Sequence, residues 1–226
     1  MASAFWDVEF VGRTLHSRRE RYPGDFQRWW RHKILASMLD WQHEVIVAVD
    51  AKGGDVLGVA DWVRSGPKAA ETIVRGWKYY LQVIVSPIYR AALDFYTRLR
   101  PYRSVSDPSL LTAYSRAMPF VAHYWATPRD DVWDLSVCGV ASALRGRGIG
   151  RKLVAWGLDR ADEEGVAASV VIAQGKETFY QNCGYGPVVG RVSDGQGNPL
   201  AGMAGGEIMF RDKKVAGDSV EVKKTK

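Results

Sequence analysis

Apolar residues at Ile149, Leu153, Val154, Leu158 and Ala161 recur every three or four positions, the spacing of one helix face, and Gly165 supplies a stop. The pattern predicts a helix over 149–164. Apolar runs of strand length flank it at 133–140 and 167–173. After Gly175 a short helix carries Phe179-Tyr180-Gln181-Asn182-Cys183-Gly184-Tyr185. Nearer the start, Pro23-Gly24-Asp25 introduces a helical segment with Phe26, Trp30, Ile34 and Met38 on one face and Asp25 as its cap. The runs 44–50 and 56–63, separated by Ala51-Lys52-Gly53-Gly54-Asp55, read as a hairpin.

Residues 64–131 read as a long helical insertion. They hold six of the nine prolines and eleven of the 26 aromatic residues, so the segment breaks into short pieces with much apolar contact surface. Ser86-Pro87 and Asp107-Pro108 each read as a helix start, the first with Ile88, Ala92, Phe95 and Leu99 on one side. Aromatics such as Tyr89, Tyr96, Tyr114, Tyr124 and Trp125 fit either ordinary packing onto a sheet or the wall of a pocket.

The chemistry begins between the strand at 133–140 and the helix at 149–164, with Leu144-Arg145-Gly146-Arg147-Gly148-Ile149-Gly150-Arg151-Lys152. Glycines let the backbone turn with several N–H groups pointing one way. A helix start adds unpaired N–H groups and a partial positive charge, and the arginines add more. Such a junction suits a phosphate. Two phosphate loops fail on spacing. A dinucleotide fingerprint beginning at Gly146 needs a glycine where Arg151 stands, and one beginning at Gly148 needs it where Leu153 stands. A nucleoside-triphosphate loop needs G-K-S or G-K-T after four spacer residues, and nothing here provides it.

What remains is R-x-x-G-x-G at Arg145, Gly148 and Gly150, after a strand and before a helix. It resembles the pyrophosphate loop of the GNAT superfamily of acetyl-CoA-dependent N-acetyltransferases. The order strand, Arg/Gly loop, helix, strand, F-Y helix and Gly-aromatic carries the resemblance from 133 to 188. Two positions depart from the family pattern. Ser142 stands where proline is common, and the spacing from Gly175 to Tyr180 is one residue longer than usual.

The resemblance implies an α/β (α+β) GNAT-type domain: a mixed, mostly antiparallel sheet, splayed at the cofactor strand, flanked by helices and carrying the insertion before that strand. The length of 226 residues suits a single domain, over 1–212, with a basic tail at 213–226, and against the family pattern the N-terminal edge strand is missing. An uncovered edge would invite a dimer. The resemblance implies direct transfer from acetyl-CoA to an amine, with no metal. A small-molecule amine is the favoured acceptor, because an aromatic insertion suits an enclosed pocket; a protein or histone lysine is the alternative, and a non-catalytic acyl-CoA binder a third reading. Tyr180 would be the acid facing the cofactor sulfur, and Asp134 the base, a charged residue in an otherwise apolar strand. His123 is another candidate base. The backbones of Cys138 and Val140 would pair with the pantetheine arm. Arg145, Gly146, Arg147, Gly148, Ile149, Gly150, Arg151 and Lys152 would hold the pyrophosphate, one of the basic side chains also reaching the 3′-phosphate.

Composition narrows little further. The net charge of +6 is half accounted for by 211–226, with six Lys/Arg against three Asp/Glu, so the remainder is only mildly basic. That suits an anionic ligand and does not call for nucleic acid. Asp7 and Glu9 interrupt any signal-like start, no apolar run reaches membrane-spanning length, and two cysteines make neither a disulfide framework nor a zinc site. A cytoplasmic, intracellular enzyme with no membrane partner is expected.

Overall fold

The computed structural model describes residues 2–51, 53–72 and 77–213. Six strands form: β1 (His43–Val49), β2 (Val56–Ser65), β3 (Val132–Val140), β4 (Ala167–Ile172), β5 (Val188–Arg191) and β6 (Glu207–Arg211). They make one sheet in the order β1-β2-β3-β4-β6-β5. β3 and β4 are parallel and the other neighbours antiparallel. Five α-helices of the described residues flank the sheet: α1 (Pro23–Met38), α2 (Trp77–Leu99), α3 (Ala113–Val121), α4 (Ile149–Glu164) and α5 (Glu177–Gln181). This is the mixed, mostly antiparallel α/β architecture that the sequence predicts.

Alternation along the strands gives the sheet two buried faces. On one, Trp62, Trp133, Leu135, Val170 and Met209 pack against Leu153, Val154, Leu158 and Ala161 of α4. The approach is close. Trp62 is fully buried, its Nε1 donates to the Leu153 carbonyl at 3.2 Å, and a Cβ on Gly157 would stand 2.2 Å from the indole. Only glycine lets α4 lie at this distance. On the opposite face, Phe26 and Trp30 of α1 pack on Val137, while Ala113, Ala117 and Val121 of α3 pack on Ile208 and Phe210. Those two clusters are separate, and the space between them matters below.

Among the described residues no strand precedes β1. The chain instead makes a 3₁₀ turn (Ala2–Phe5) and a short π-helix (Glu9–Leu15) that pack Phe5, Trp6 and Val11 against α1. Three local readings need correction. Asp25 does not cap α1: its carboxylate accepts the Arg103 N–H at 2.7 Å and pairs with Arg28, tying the helix start to a distant loop. Met38 is 60% exposed, because the last turn of α1 buries Ser37, whose hydroxyl bonds Asp61. Pro87 does not start a helix but lies inside α2, where it forgoes one backbone bond. Of the expected basic tail, all but Lys213 lies outside the described residues. No helix among the described residues is long and apolar enough to cross a membrane.

Candidate active site

The sheet parts at its centre. β3 and β4 pair only over 132–135 and 167–170, after which β3 runs on to Val140 beside β2 alone. Its other edge then carries N–H and C=O groups with no strand partner. A bulge accompanies the split. Trp62 pairs with Leu135 and Asp61 with Val137, leaving Ser136 as the extra residue. The bulge resets the alternation, so Trp133, Leu135, Cys138 and Val140 all lie with the α4 cluster, while Val137 lies with α1.

Past Val140 the chain makes a 3₁₀ turn (Ser142–Leu144) and enters α4 through Arg145, Gly146, Arg147 and Gly148. Gly146 and Gly148 have φ of 79° and 77°, a conformation strained for other residues, and a Cβ at either would meet nothing within 4 Å. The Gly148 carbonyl accepts the Lys152 N–H at 3.2 Å, so the N–H groups of Ile149, Gly150 and Arg151 have no partner within the helix. Arg147, Arg151 and Lys152 are exposed around them. Arg145 is also exposed, and its guanidinium donates to the Ala4 carbonyl at 3.1 Å. Gly150 has a packing reason of its own, since a Cβ there would lie 3.3 Å from the Phe179 ring.

α5 follows β4 and sets Tyr180 against the α4-side cluster, edge-on to Tyr185 with ring centroids 5.7 Å apart. Burial, with the Cys138 and Cys183 sulfurs adding, pushes the Tyr180 phenol above its ordinary range. Burial also pushes the Cys138 thiol up to about 12, with Cys183 adding. Both groups therefore keep their protons at neutral pH.

On the opposite face a cavity of about 470 Å³ opens where β3 and β4 part. Asp134, Leu135 and Ser136 of β3 and Val171 and Ile172 of β4 line its base. Its walls come from four other places: the N-terminal segment (Phe5, Phe10, Val11), α1 (Trp29, Lys33), the 3₁₀ turn leading into α3 with the first turn of that helix (Leu111, Tyr114) and the loop before β6 (Met203 to Gly206). Asp134, half-buried, is the carboxylate at that base. Ser169, its register partner on β4, donates its hydroxyl to Asp134 Oδ1, and Trp125 Nε1 donates to that hydroxyl at 3.1 Å. Burial raises the Asp134 pKa to about 6; the Ser169 bond opposes this, the Asp61 charge adds to it and His43 opposes it. Burial, and then the Asp134 charge, raise the Tyr114 phenol. Behind the wall, fully buried Asp61 accepts from Ser37 Oγ at 2.8 Å on one oxygen and has His43 Nδ1 at 2.8 Å from the other.

A split parallel pair, a glycine-arginine loop opening a helix and a tyrosine helix after the second strand occupy one continuous stretch of chain. Residues 94–185 match the acetyltransferase (GNAT) family. The match spans the split strand pair, the glycine-arginine loop and the tyrosine helix, and marks the protein as an acyltransferase enzyme; the matched family uses acetyl-CoA. No curated protein matches the sequence. Among solved structures, "histone acetyltransferase HPA2 and related acetyltransferase" from Corynebacterium glutamicum is similar at 16% identity and a TM-score of 0.51, covering 95% of this chain and 87% of that one. Arylalkylamine N-acetyltransferase 2 from Aedes aegypti aligns at 13% identity and a TM-score of 0.48, over 93% of this chain and 92% of that one. At 16% identity the likeness to the first is one of fold.

The expected site residues fall on two sides of the gap. Cys138, Val140, the loop from Arg145 to Lys152 and Tyr180 belong to the α4 side, and Asp134 to the cavity side. His123 is not brought to the site: it is exposed and stacks on Tyr124 at 4.1 Å between ring centroids, outside the cavity lining. Three residues at or beside the cavity escaped the sequence reading. Ser169 and Asp61 carried a signal, a polar residue inside an apolar strand, the same one that marks Asp134. Lys33 carried none, because only the fold brings its helix to the cavity, while Tyr114 is one of the insertion aromatics and stands here in the pocket wall.

Proposed function

We propose that the chain moves an acetyl group directly from acetyl-CoA to the amine of a small molecule. The observation that carries this reading is the position of Asp134: a half-buried carboxylate at the base of a largely apolar cavity, on the line where β3 leaves β4. The residues present fit acetyl-CoA. Open space at Gly146 and Gly148, the free N–H groups at the start of α4 and the exposed Arg147, Arg151 and Lys152 suit a pyrophosphate and a further phosphate. The unpaired edge of β3 over Cys138 to Val140 suits an amide-bearing arm, and any of its N–H groups that face the gap are donors for a carbonyl oxygen. When bound, acetyl-CoA supplies the acetyl group as an activated thioester.

The side chains divide the proton work. An alkylammonium gives up its proton at a cost of roughly 4 kcal/mol at neutral pH. Asp134, with its pKa raised to about 6, is ionised at pH 7 yet basic enough to take that proton. Tyr180, packed with Cys138 on the α4 side and kept protonated by burial, would hold a proton at its hydroxyl for the departing thiolate. Cys138, with its pKa pushed to about 12, is too weakly ionised to serve as a nucleophile, which favours direct transfer over an acyl-enzyme. The four-sided wall favours a small acceptor over a lysine on a protein surface.

The test is acetyl-CoA-dependent release of free thiol across a panel of amines that includes a lysine peptide, beside thermal melts with acetyl-CoA, CoA and ATP. Saturation at a hundred times Kd adds about 2.7 kcal/mol, or roughly 5–11 °C for a domain of this size. The expected result is a shift with acetyl-CoA and CoA but not ATP, and turnover on a small amine. Turnover on the peptide alone would replace the acceptor class, and binding without turnover on any amine would make the chain a non-catalytic acyl-CoA binder.

A further inference from the structure

The cavity holds a cation that acetyl transfer does not require. Lys33 of α1 lines the same space as Asp134. Among the described residues its ammonium makes no ion pair and no hydrogen bond. The charge that acts on it is Asp61, but both Asp61 oxygens are already engaged, one by Ser37 and the other by His43. Burial accordingly lowers the Lys33 pKa, with Asp61 opposing. The remaining acidic residue of the lining, Glu9, is exposed on the N-terminal segment. A largely apolar cavity thus presents one half-buried carboxylate from the sheet and one partnerless ammonium from the helix over it.

That pair of charges is complementary to a molecule carrying both signs. We propose that Lys33 receives a carboxylate on the acceptor, so that the preferred substrates are amino acids with an apolar side chain rather than simple amines. This rests on the acetyl-transfer reading above. The acceptor ammonium faces Asp134, its carboxylate faces Lys33, and the apolar wall takes the side chain. A simple amine leaves the Lys33 ammonium desolvated and without a counter-charge. A polyamine would add a second cation beside it and is disfavoured twice. Lys33 is a specificity residue here: it touches the substrate but moves no proton.

L-phenylalanine and phenethylamine differ only by the carboxylate, and they are the probes. With saturating acetyl-CoA, kcat/KM is measured for both on the unaltered protein, Lys33→Met and Lys33→Arg, with spermidine and a lysine peptide alongside. The unaltered protein is expected to prefer phenylalanine at least about tenfold, the factor that 1.4 kcal/mol represents. Lys33→Met should bring the ratio near one, chiefly through KM for phenylalanine, and Lys33→Arg should restore part of it. A lysine that serves only to balance Asp61 would lower the melting temperature and both rates together, leaving the ratio unchanged. That outcome, or phenethylamine as the equal or better substrate, overturns the proposal. If both probes are inert while another amine is acetylated, the proposal fails and the acetyl-transfer reading stands. If acetyl-CoA binds and no amine turns over, both fail.

Discussion

Asparagine at position 134 is expected to make the protein inactive and more stable at once. The raised pKa means that the folded state holds the Asp134 proton more tightly than the unfolded chain does, about 6 against 3.8. Between those values the folded protein binds more protons, so stability falls as pH rises through the window and the full cost is present above pH 6. The difference corresponds to about 3 kcal/mol, at 1.36 kcal/mol per unit. Asparagine cannot ionise, and its amide oxygen can still accept the Ser169 hydroxyl. Asp134→Asn should therefore gain up to about 3 kcal/mol at pH 8, or roughly 6–12 °C in Tm, and nothing below pH 4. Melts of both proteins from pH 4 to 8, beside amine-dependent thiol release, make the measurement. The unaltered enzyme should show kcat/KM rising through about pH 6, and the variant should be inactive throughout. A variant equally stabilised at every pH, or less stable at pH 8, would refute the claim that burial strains this carboxylate, and with it the argument for Asp134 as base.

Three further outcomes are expected. Arg147→Glu with Arg151→Glu should weaken acetyl-CoA binding by well over tenfold in calorimetry, since each charge-assisted bond is worth about 1.5–3 kcal/mol; unchanged affinity would remove the loop from the cofactor site. Tyr180→Phe should lower kcat by about a hundredfold while leaving acetyl-CoA affinity within a small factor, and full turnover would end its role as acid. Gly157→Ala should destabilise the fold by about 1–3 kcal/mol in urea, because the new methyl meets the buried Trp62 indole.

The stretch from Val132 to Tyr185 was legible because its signals are local, whereas β5 and β6 beyond it were not foreseen. A helix face, two strand-length apolar runs and a spaced glycine loop place α4, β3, β4 and the phosphate-type junction to within a residue or so. The bulge at Ser136 was not legible, yet it decides which face Asp134 occupies, since it arises from strand pairing and leaves no periodicity behind. The first half misled in detail for the same kind of reason. Asp25 has the residue type and position of a cap, but the Arg103 amide, far away in sequence, claims its carboxylate. Pro87 looks like a helix start and is overrun by a longer helix. The cavity is the extreme case: Phe5, Lys33, Tyr114 and Met203 come from four separate segments, and no window of sequence contains two of them.

The parting of β3 from β4 leaves a strand zipped along one border and open along the other. Backbone amides alternate in direction along a strand, so from 136 to 140 those turned toward β2 are locked and those turned toward the gap are not. In heavy water the free protein should exchange these two sets at different rates, giving a period-two pattern within five residues. A guest that lays its own amides along the open border would act as a surrogate seventh strand. It would slow only the fast set, so the deuterium record of one short segment would register the arrival of a non-protein strand.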